Sequence, residues 1–164
     1  MVHPYVSQLW FTRSEFLRCL EGVSADQALL RPGPMNCLSW IVGHMANQEH
    51  RLWVQWAQGR EVISGLHELV GFGKPASTPP WQEMRDAWHK VTEAADDYLR
   101  TVTSETLPVR FQITGRPNIE PVGHLLLRNI YHYWFHLGEA HAIRQILGHT
   151  DLRQFVGNIS DVAV

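Results

Sequence analysis

Apolar side chains recur every three or four residues in four separate stretches of the sequence, and this spacing constrains the fold more than any other feature. The stretches run from about Pro4 to Leu20, from Asn36 or Leu38 to Gln58, from Trp81 to Val102 and from Pro121 to Gly148. Each is typical of a helix with one apolar face, which has to pack against another helix. No βαβ pattern and no internal repeat is visible. The sequence therefore predicts an all-α fold, an up-down four-helix bundle formed by one domain over residues 1–164.

Two connections between these helices have unusual compositions. The connection from Arg60 to Pro80 is rich in glycine and proline, and it predicts a long loop between the second and third helices. Long loops in compact domains often cover functional sites. Before the fourth helix, Val109, Phe111 and Ile113 alternate with other residues, which predicts a short strand or an irregular insert.

The overall composition argues against several classes of function. Hydrophobic residues make up 45% of the chain and charged residues 18%, which is typical of a globular protein. The formal net charge is -2 and no block of Lys and Arg is present, so we expect no nucleic-acid partner. No apolar stretch approaches the roughly 20 residues that span a membrane, so we expect no membrane partner either.

The cysteines and the N-terminus bear on the cellular compartment. Cys19 and Cys37 lie in different segments without CxxC spacing, so we expect buried free thiols. The N-terminal residues contain no basic region followed by an apolar run, so no signal peptide is predicted. These features predict a cytoplasmic protein in a reducing compartment.

Two histidines stand in the middle of the apolar face of the fourth helix. That face contains Val122, Leu125, Asn129, His132, His136, Ala140, Ile143 and Leu147. Residues four apart on a helix lie about 5–6 Å from each other at Cβ, so the two imidazoles are close enough to share one cation. Buried imidazoles need partners for both ring nitrogens, and a metal ion takes one nitrogen from each ring. The alternative of two core histidines bonded to their neighbours stays open at this point, because HxxxH alone is a weak motif.

A third ligand is expected from a facing helix, because a catalytic metal site usually takes three protein ligands and leaves one position open. On the second helix, His44 lies at the edge of the apolar face, whereas His50 falls among residues predicted to face solvent. The predicted metal ligands are therefore His44, His132 and His136.

One charged residue, Glu49, completes the candidates. Glu49 is predicted to lie near the centre of the apolar face of the second helix, and it is the candidate catalytic residue, as a general base. It is also a candidate for a fourth ligand or a partner of a ligand. The alternative is a carboxylate that reaches solvent or pairs with an arginine. Arg13, in the first helix, lies off the apolar face.

Two segments resemble the DinB/YfiT-like superfamily. The segment LRPGPMNCLSWIVGHMANQEHRLW resembles its second-helix region, in which a histidine follows a tryptophan-containing apolar run. The segment YHYWFHLGEAHAIRQILGH resembles its fourth helix, in which HxxxH is followed by Gly138, Glu139 and Arg144. The resemblance implies a four-helix bundle of metalloenzymes with one histidine from the second helix and two from the fourth around a divalent ion. In this sequence those residues are His44, His132 and His136.

The resemblance also implies an activity and an assembly. Some branches of the superfamily are S-transferases or isomerases that use bacillithiol, mycothiol or glutathione, many members have no assigned reaction, and dimers are common. Some relatives have a glutamate where His132 stands, so this sequence matches the all-histidine pattern and not the mycothiol-isomerase type.

From the residues and the resemblance together, we expect a metal-dependent enzyme that binds one divalent ion, zinc or nickel. A low-molecular-weight thiol is the expected cosubstrate of an S-transferase reaction, and a homodimer is the expected assembly. Two alternatives stay open. One is a metal-dependent hydrolase, and the other is a bundle that binds a metal or a small ligand without catalysis.

Overall fold

The computed structural model describes residues 2–150, 152–154, 156–157 and 159. This part of the chain is mostly helical, and its α-helices are α1 (Pro4–Cys19), α2 (Ala25–Leu29), α3 (Leu38–Glu49), α4 (Leu66–Val70), α5 (Trp81–Leu99) and α6 (Val122–Ile146). A π-helical segment, His50–Trp56, continues α3. The predicted all-α fold class is confirmed. The up-down order of a four-helix bundle and the single domain stay predictions.

The helices that carry the candidate ligands, α3 and α6, contact each other in the core. α3 begins at Leu38, where the sulfur of Cys37 accepts a hydrogen bond from the backbone N–H of Trp40 in the first turn. α6 begins after Pro121, which has no backbone N–H that would be left unpaired at a helix start. Every residue of α3 is buried, because α4, α5 and α6 all pack against it.

A continuous cluster of buried apolar side chains connects α1, α3, α5 and α6. α1 packs mainly on α6, and α3 packs mainly on α5. Gly43 allows the close contact of α3 with α5 beside His44, because a Cβ at this position would clash with Sδ of Met84. The absent side chain therefore lets α5 support the helix that carries the first candidate ligand.

The predicted loop from Arg60 to Pro80 contains a short helix, α4, which spacing alone did not indicate. Leu66 and Val70 lie one turn apart in α4, and both are buried against the rest of the protein. Gly65 precedes the helix with a φ of 74°, a left-handed conformation that favours glycine. Burial of two side chains over α3 thus turns part of the loop into a helix.

The insert before α6 is a small antiparallel hairpin of β1 (Gln112–Ile113) and β2 (Arg116–Pro117). Its two turn residues, Thr114 and Gly115, both have positive φ, as a two-residue hairpin turn of type I′ requires. The predicted insert therefore contains a short strand with a partner strand, but of the three alternating residues only Ile113 lies in it.

Two residues placed away from the apolar faces by the sequence are buried. Arg13 is 6% exposed, because its guanidinium pairs with Glu49 on α3. His50 is 3% exposed, because the chain after the π-helical segment folds back and the N–H of Val62 donates to its Nε2. At His50 the helix also changes from α to π, so the 3.6-residue spacing that assigns faces no longer applies.

Cys19 and Cys37 are free and buried, as predicted. Of the helices in the described part of the chain, none combines the length and the apolar character that crossing a bilayer requires.

Candidate metal centre

Three imidazole rings meet where α3 faces α6. Nε2 of His44 lies 3.3 Å from Nε2 of His132, and Nε2 of His136 lies 3.0 Å from the same atom. One nitrogen from each ring lies within 4.8 Å of the other two, so these residues could hold one metal ion. They are the three histidines that the sequence predicts as ligands. His44 and His136 are buried, and His132 is half-buried.

The other ring nitrogen, Nδ1, of each histidine has its own oxygen partner. The Nδ1 atoms lie 2.8 Å from the backbone oxygen of Val70 for His44, 2.7 Å from Oε1 of Gln48 for His132, and 2.7 Å from Oε2 of Glu139 for His136. Carbonyl, amide and carboxylate oxygens accept hydrogen bonds, so each Nδ1 carries the proton and donates it. Each Nε2 then presents a lone pair to the centre of the cluster.

These lone pairs provide a test of whether a metal ion fits. Acceptor nitrogens 3.0 Å and 3.3 Å apart repel each other unless a cation lies among them. In a tetrahedral site with bonds of about 2.0–2.1 Å, the ligand nitrogens are expected about 3.3 Å apart. Both the donor set and the spacing therefore fit a divalent ion.

A chain of hydrogen bonds fixes the ring of His132 from the core. Oε1 of Gln48 accepts from His132 and also from Nδ2 of Asn129, at 2.9 Å. Oδ1 of Asn129 accepts from the indole N–H of Trp53, at 2.7 Å. Because an indole N–H can only donate, Trp53 sets the orientation of both amides. The oxygen of Gln48 is thereby directed at the imidazole.

Burial keeps the rings of His44 and His132 neutral. The ring of Trp40 stacks on that of His44, with the centroids 4.5 Å apart. Desolvation lowers the pKa of His44 to about 4, and desolvation together with the neighbouring His136 lowers the pKa of His132 to about 3. The hydrogen bond from His136 lowers the pKa of Glu139 and keeps this carboxylate ionised. Neutral imidazole is the form that binds metal, so His44 and His132 can act as ligands at neutral pH.

The imidazole cluster is open to solvent on the side of His132. A cavity of 150 Å³ is lined by His44 and His132, with Phe72 from the segment after α4. A wider cavity of 610 Å³ is lined by His132 and by residues of the first half of α6. A third cavity, of 520 Å³ between α1 and α5, has none of the three histidines in its lining. A small molecule can therefore approach the centre past His132.

Glu49 is fully buried, and its contacts lead away from the imidazoles. Its carboxylate pairs with the guanidinium of Arg13 and accepts a hydrogen bond from the hydroxyl of Tyr133 at 2.6 Å. Of the environments that the sequence left open for Glu49, the structure shows the ion pair with an arginine. A part for Glu49 in catalysis stays a prediction.

The sequence matches a known family over most of its length. The family model of the DinB superfamily covers residues 8–140, which include all three histidines. The chain belongs to the DinB superfamily. Among the curated proteins, none matches this DinB-superfamily chain. Membership of the superfamily and the cluster of three histidines are together compatible with a metal-binding domain.

The sequence did not predict the oxygen partners of the imidazoles. Gln48 follows His44 by four residues and Glu139 follows His136 by three, so helical spacing could have placed both beside the ligands. Val70 contributes a backbone carbonyl, and a backbone carbonyl has no signature in a sequence.

Proposed function

We propose that this DinB-superfamily protein is a metal-dependent enzyme that binds one divalent ion through Nε2 of His44, His132 and His136. The observation that supports this most directly is the arrangement of the ring nitrogens. Three Nε2 lone pairs converge while oxygen acceptors hold the three Nδ1 protons. Imidazole ligands suit zinc and nickel, and one of these is the proposed native metal.

The protein's own residues would prepare this centre for catalysis. Val70, Gln48 and Glu139 orient the three rings, and Trp40 covers one face of His44. When bound, a divalent ion lowers the pKa of a coordinated thiol or water and so supplies a nucleophile at neutral pH. The side of the three-histidine centre that faces the wider cavity is left open for a small molecule.

The proposed reaction is transfer of a low-molecular-weight thiol to an electrophile. The thiol releases its proton to solvent, its sulfur forms a bond to an electrophilic carbon, and the bond from that carbon to its leaving group breaks. The resemblance to thiol-dependent S-transferases supports this reaction. The cavity of 610 Å³ beside His132 supports it as well, because its size suits a small organic molecule.

Metal analysis tests the ligand set. Protein purified without an affinity tag is expected to contain about one divalent ion per chain. His132→Ala is expected to lose this ion, whereas His89→Ala, which removes an exposed imidazole from α5, is expected to keep it. His50 is unsuitable as a control because it is buried. A chain that stays empty when zinc and nickel are supplied would contradict the proposal.

Thiol transfer tests the reaction. Metal-loaded protein is incubated with glutathione, bacillithiol or mycothiol and with 1-chloro-2,4-dinitrobenzene, and the thioether is followed by its absorbance. One of the thiols is expected to react faster with the wild type than with His132→Ala. Hydrolysis of an ester probe in place of thioether formation would indicate the metal-dependent hydrolase. If the protein retains its metal and catalyses neither reaction, it is a binding protein without catalysis.

We also propose that the protein is a homodimer in the cytoplasm. The resemblance supports the dimer, and two exposed aromatic side chains on α6, Tyr131 and Phe135, offer apolar surface for it. The free cysteines support a reducing compartment. A molecular mass of one chain by light scattering would contradict the dimer.

A further inference from the structure

Arg51 lies where the two cavities beside the candidate metal centre adjoin. The residues that line both cavities are Gln48, Arg51 and His132. Because Arg51 lines both cavities together with His132, its side chain lies on the side of the ligand. Arg51 therefore belongs to the wall of both cavities through which a small molecule can approach His132.

The guanidinium of Arg51 lies over the ring of Trp56 and is not held by its N–H groups. Its Cζ lies 5.2 Å from the centroid of the ring of Trp56, five residues later in the π-helical segment. The attraction between the cation and the ring does not use the N–H donors, which can still bind an acceptor. No residue in the described part of the chain accepts a hydrogen bond from this side chain or forms an ion pair with it.

The other charges around the wider cavity do not neutralise Arg51. The Nε of Arg128 donates to Glu120 at 2.7 Å, and the two side chains form an ion pair. The two guanidinium groups and the one carboxylate in this lining together leave one positive charge. Partial burial and the like charge of Arg128 lower the pKa of Arg51, as expected for a cation without a carboxylate beside it.

We propose that Arg51 binds a carboxylate of the small molecule that reaches the three-histidine centre, so that the substrate or cosubstrate is a small organic anion. This inference rests on the proposed function. The planar fork of a guanidinium matches the two oxygens of a carboxylate, with two parallel hydrogen bonds. Attachment at Arg51 and at a bound metal ion would fix both ends of the molecule and so orient it for reaction.

The test measures binding on protein loaded with Co²⁺. A thiolate on Co²⁺ gives a charge-transfer band in the near ultraviolet, which reports binding without turnover. The probes are matched pairs of mercaptoalkanoates with three to six carbon atoms and their amides, which differ in charge and not in shape. The wild type is expected to bind at least one carboxylate about ten-fold more tightly than its amide.

Variants assign this preference to Arg51. Arg51→Gln is expected to lower the ratio of carboxylate to amide affinity to about one, while the affinity for the amide stays unchanged. Arg51→Lys is expected to keep part of the preference for the carboxylate. Arg85→Gln is the matched control, because Arg85 also lies over the ring of a tryptophan, Trp81, and lines neither cavity. It should keep the full preference. The d–d bands of Co²⁺ show that each variant is folded and loaded.

The outcomes separate this inference from the function on which it rests. Equal affinities for carboxylate and amide in the wild type, or a preference that survives Arg51→Gln, would overturn the assignment of Arg51 alone. Bound Co²⁺ without a thiolate band would overturn the thiol reaction alone. In that case, alkyl hydroxamates with a distal carboxylate or amide provide the same comparison. Failure to bind Co²⁺ would overturn the metal centre and this inference with it.

Discussion

Gln48 holds the imidazole of His132 with the same oxygen that accepts a hydrogen bond from Asn129. A ring that is already oriented loses little freedom when a metal binds, so the partner of Nδ1 contributes to metal affinity without touching the ion. The same holds for the contact of Glu139 with His136. At the scale of residues, the candidate centre therefore depends on these oxygen atoms as well as on the three ligands.

Replacing Gln48 tests this dependence. Gln48→Ala is expected to lower zinc affinity by about 10- to 100-fold, because the ring of His132 loses the acceptor that orients it. Gln48→Glu keeps an oxygen at this position and is expected to keep most of the affinity. Competition with a chromophoric chelator measures both. The control is Gln82→Ala on the exposed side of α5, and an affinity of Gln48→Ala equal to that of this control would refute the role.

At the scale of elements, two pieces of irregular helix build the surroundings of the ligands. α4 ends at Val70, whose carbonyl accepts from His44, so the position of a short helix decides the orientation of one ligand. The π-helical segment places Arg51 beside the centre and over the ring of Trp56. Such departures from regular α-helix are frequent at functional sites.

The two leucines of α4 offer a matched test. Leu66 is 3% exposed and Leu69 is 39% exposed, so the same substitution removes packing at one position and not at the other. Leu66→Ala is expected to lower the free energy of unfolding by about 2–5 kcal/mol and to speed zinc release, because α4 then holds Val70 less firmly. Leu69→Ala is expected to stay within about 0.5 kcal/mol of the wild type. Urea denaturation and zinc-release kinetics measure the two effects, and equal release rates would count against α4 as a support of His44.

At the scale of the whole molecule, a buried polar network joins the four long helices. Arg13 of α1 pairs with Glu49 of α3 and with Asp96 of α5, the latter at 2.7 Å. The hydroxyl of Tyr133, on α6, donates to Glu49 and accepts from Trp88 of α5. Burial alone would lower the pKa of Arg13, but the charge of Glu49 raises it above its ordinary value. The guanidinium therefore stays charged at the centre of the protein.

Removing the carboxylate at the centre of this network is expected to be costly. Glu49→Ala should lower the free energy of unfolding by about 3–5 kcal/mol, because Arg13 is left as a buried charge without its main partner. The metal content of the folded protein should not change. Glu93→Ala, at an exposed position of α5, is the control and should alter the stability by no more than about 0.5 kcal/mol. Denaturation with urea and elemental analysis provide the measurements.

The substitution Glu49→Gln distinguishes a structural role of Glu49 from a catalytic one. A general base would lose turnover on substitution by glutamine while the metal content and the free energy of unfolding stayed at the values of the wild type. A loss of stability in Glu49→Gln, with turnover preserved in the folded protein, would assign Glu49 to the network alone.

The sequence by itself determined the long helices and the three histidines that meet between them. Helical spacing is a local property, so the residues themselves show which side chains share a face. α1, α5 and α6 begin and end within a few residues of the predicted bounds. His132 and His136 on one face, with His44 on another, were identified for the same reason.

Only the tertiary structure decided which polar groups become partners. Arg13 was expected to lie off the apolar face, yet it meets Glu49, which is 36 residues away in the sequence. His44 meets the carbonyl of Val70, which is 26 residues away, in a helix that forms only because its side chains are buried. Burial depends on segments that are distant in sequence, and the free energy of placing a polar group inside the protein depends on the partner it finds there. Spacing along one helix contains no information about that partner.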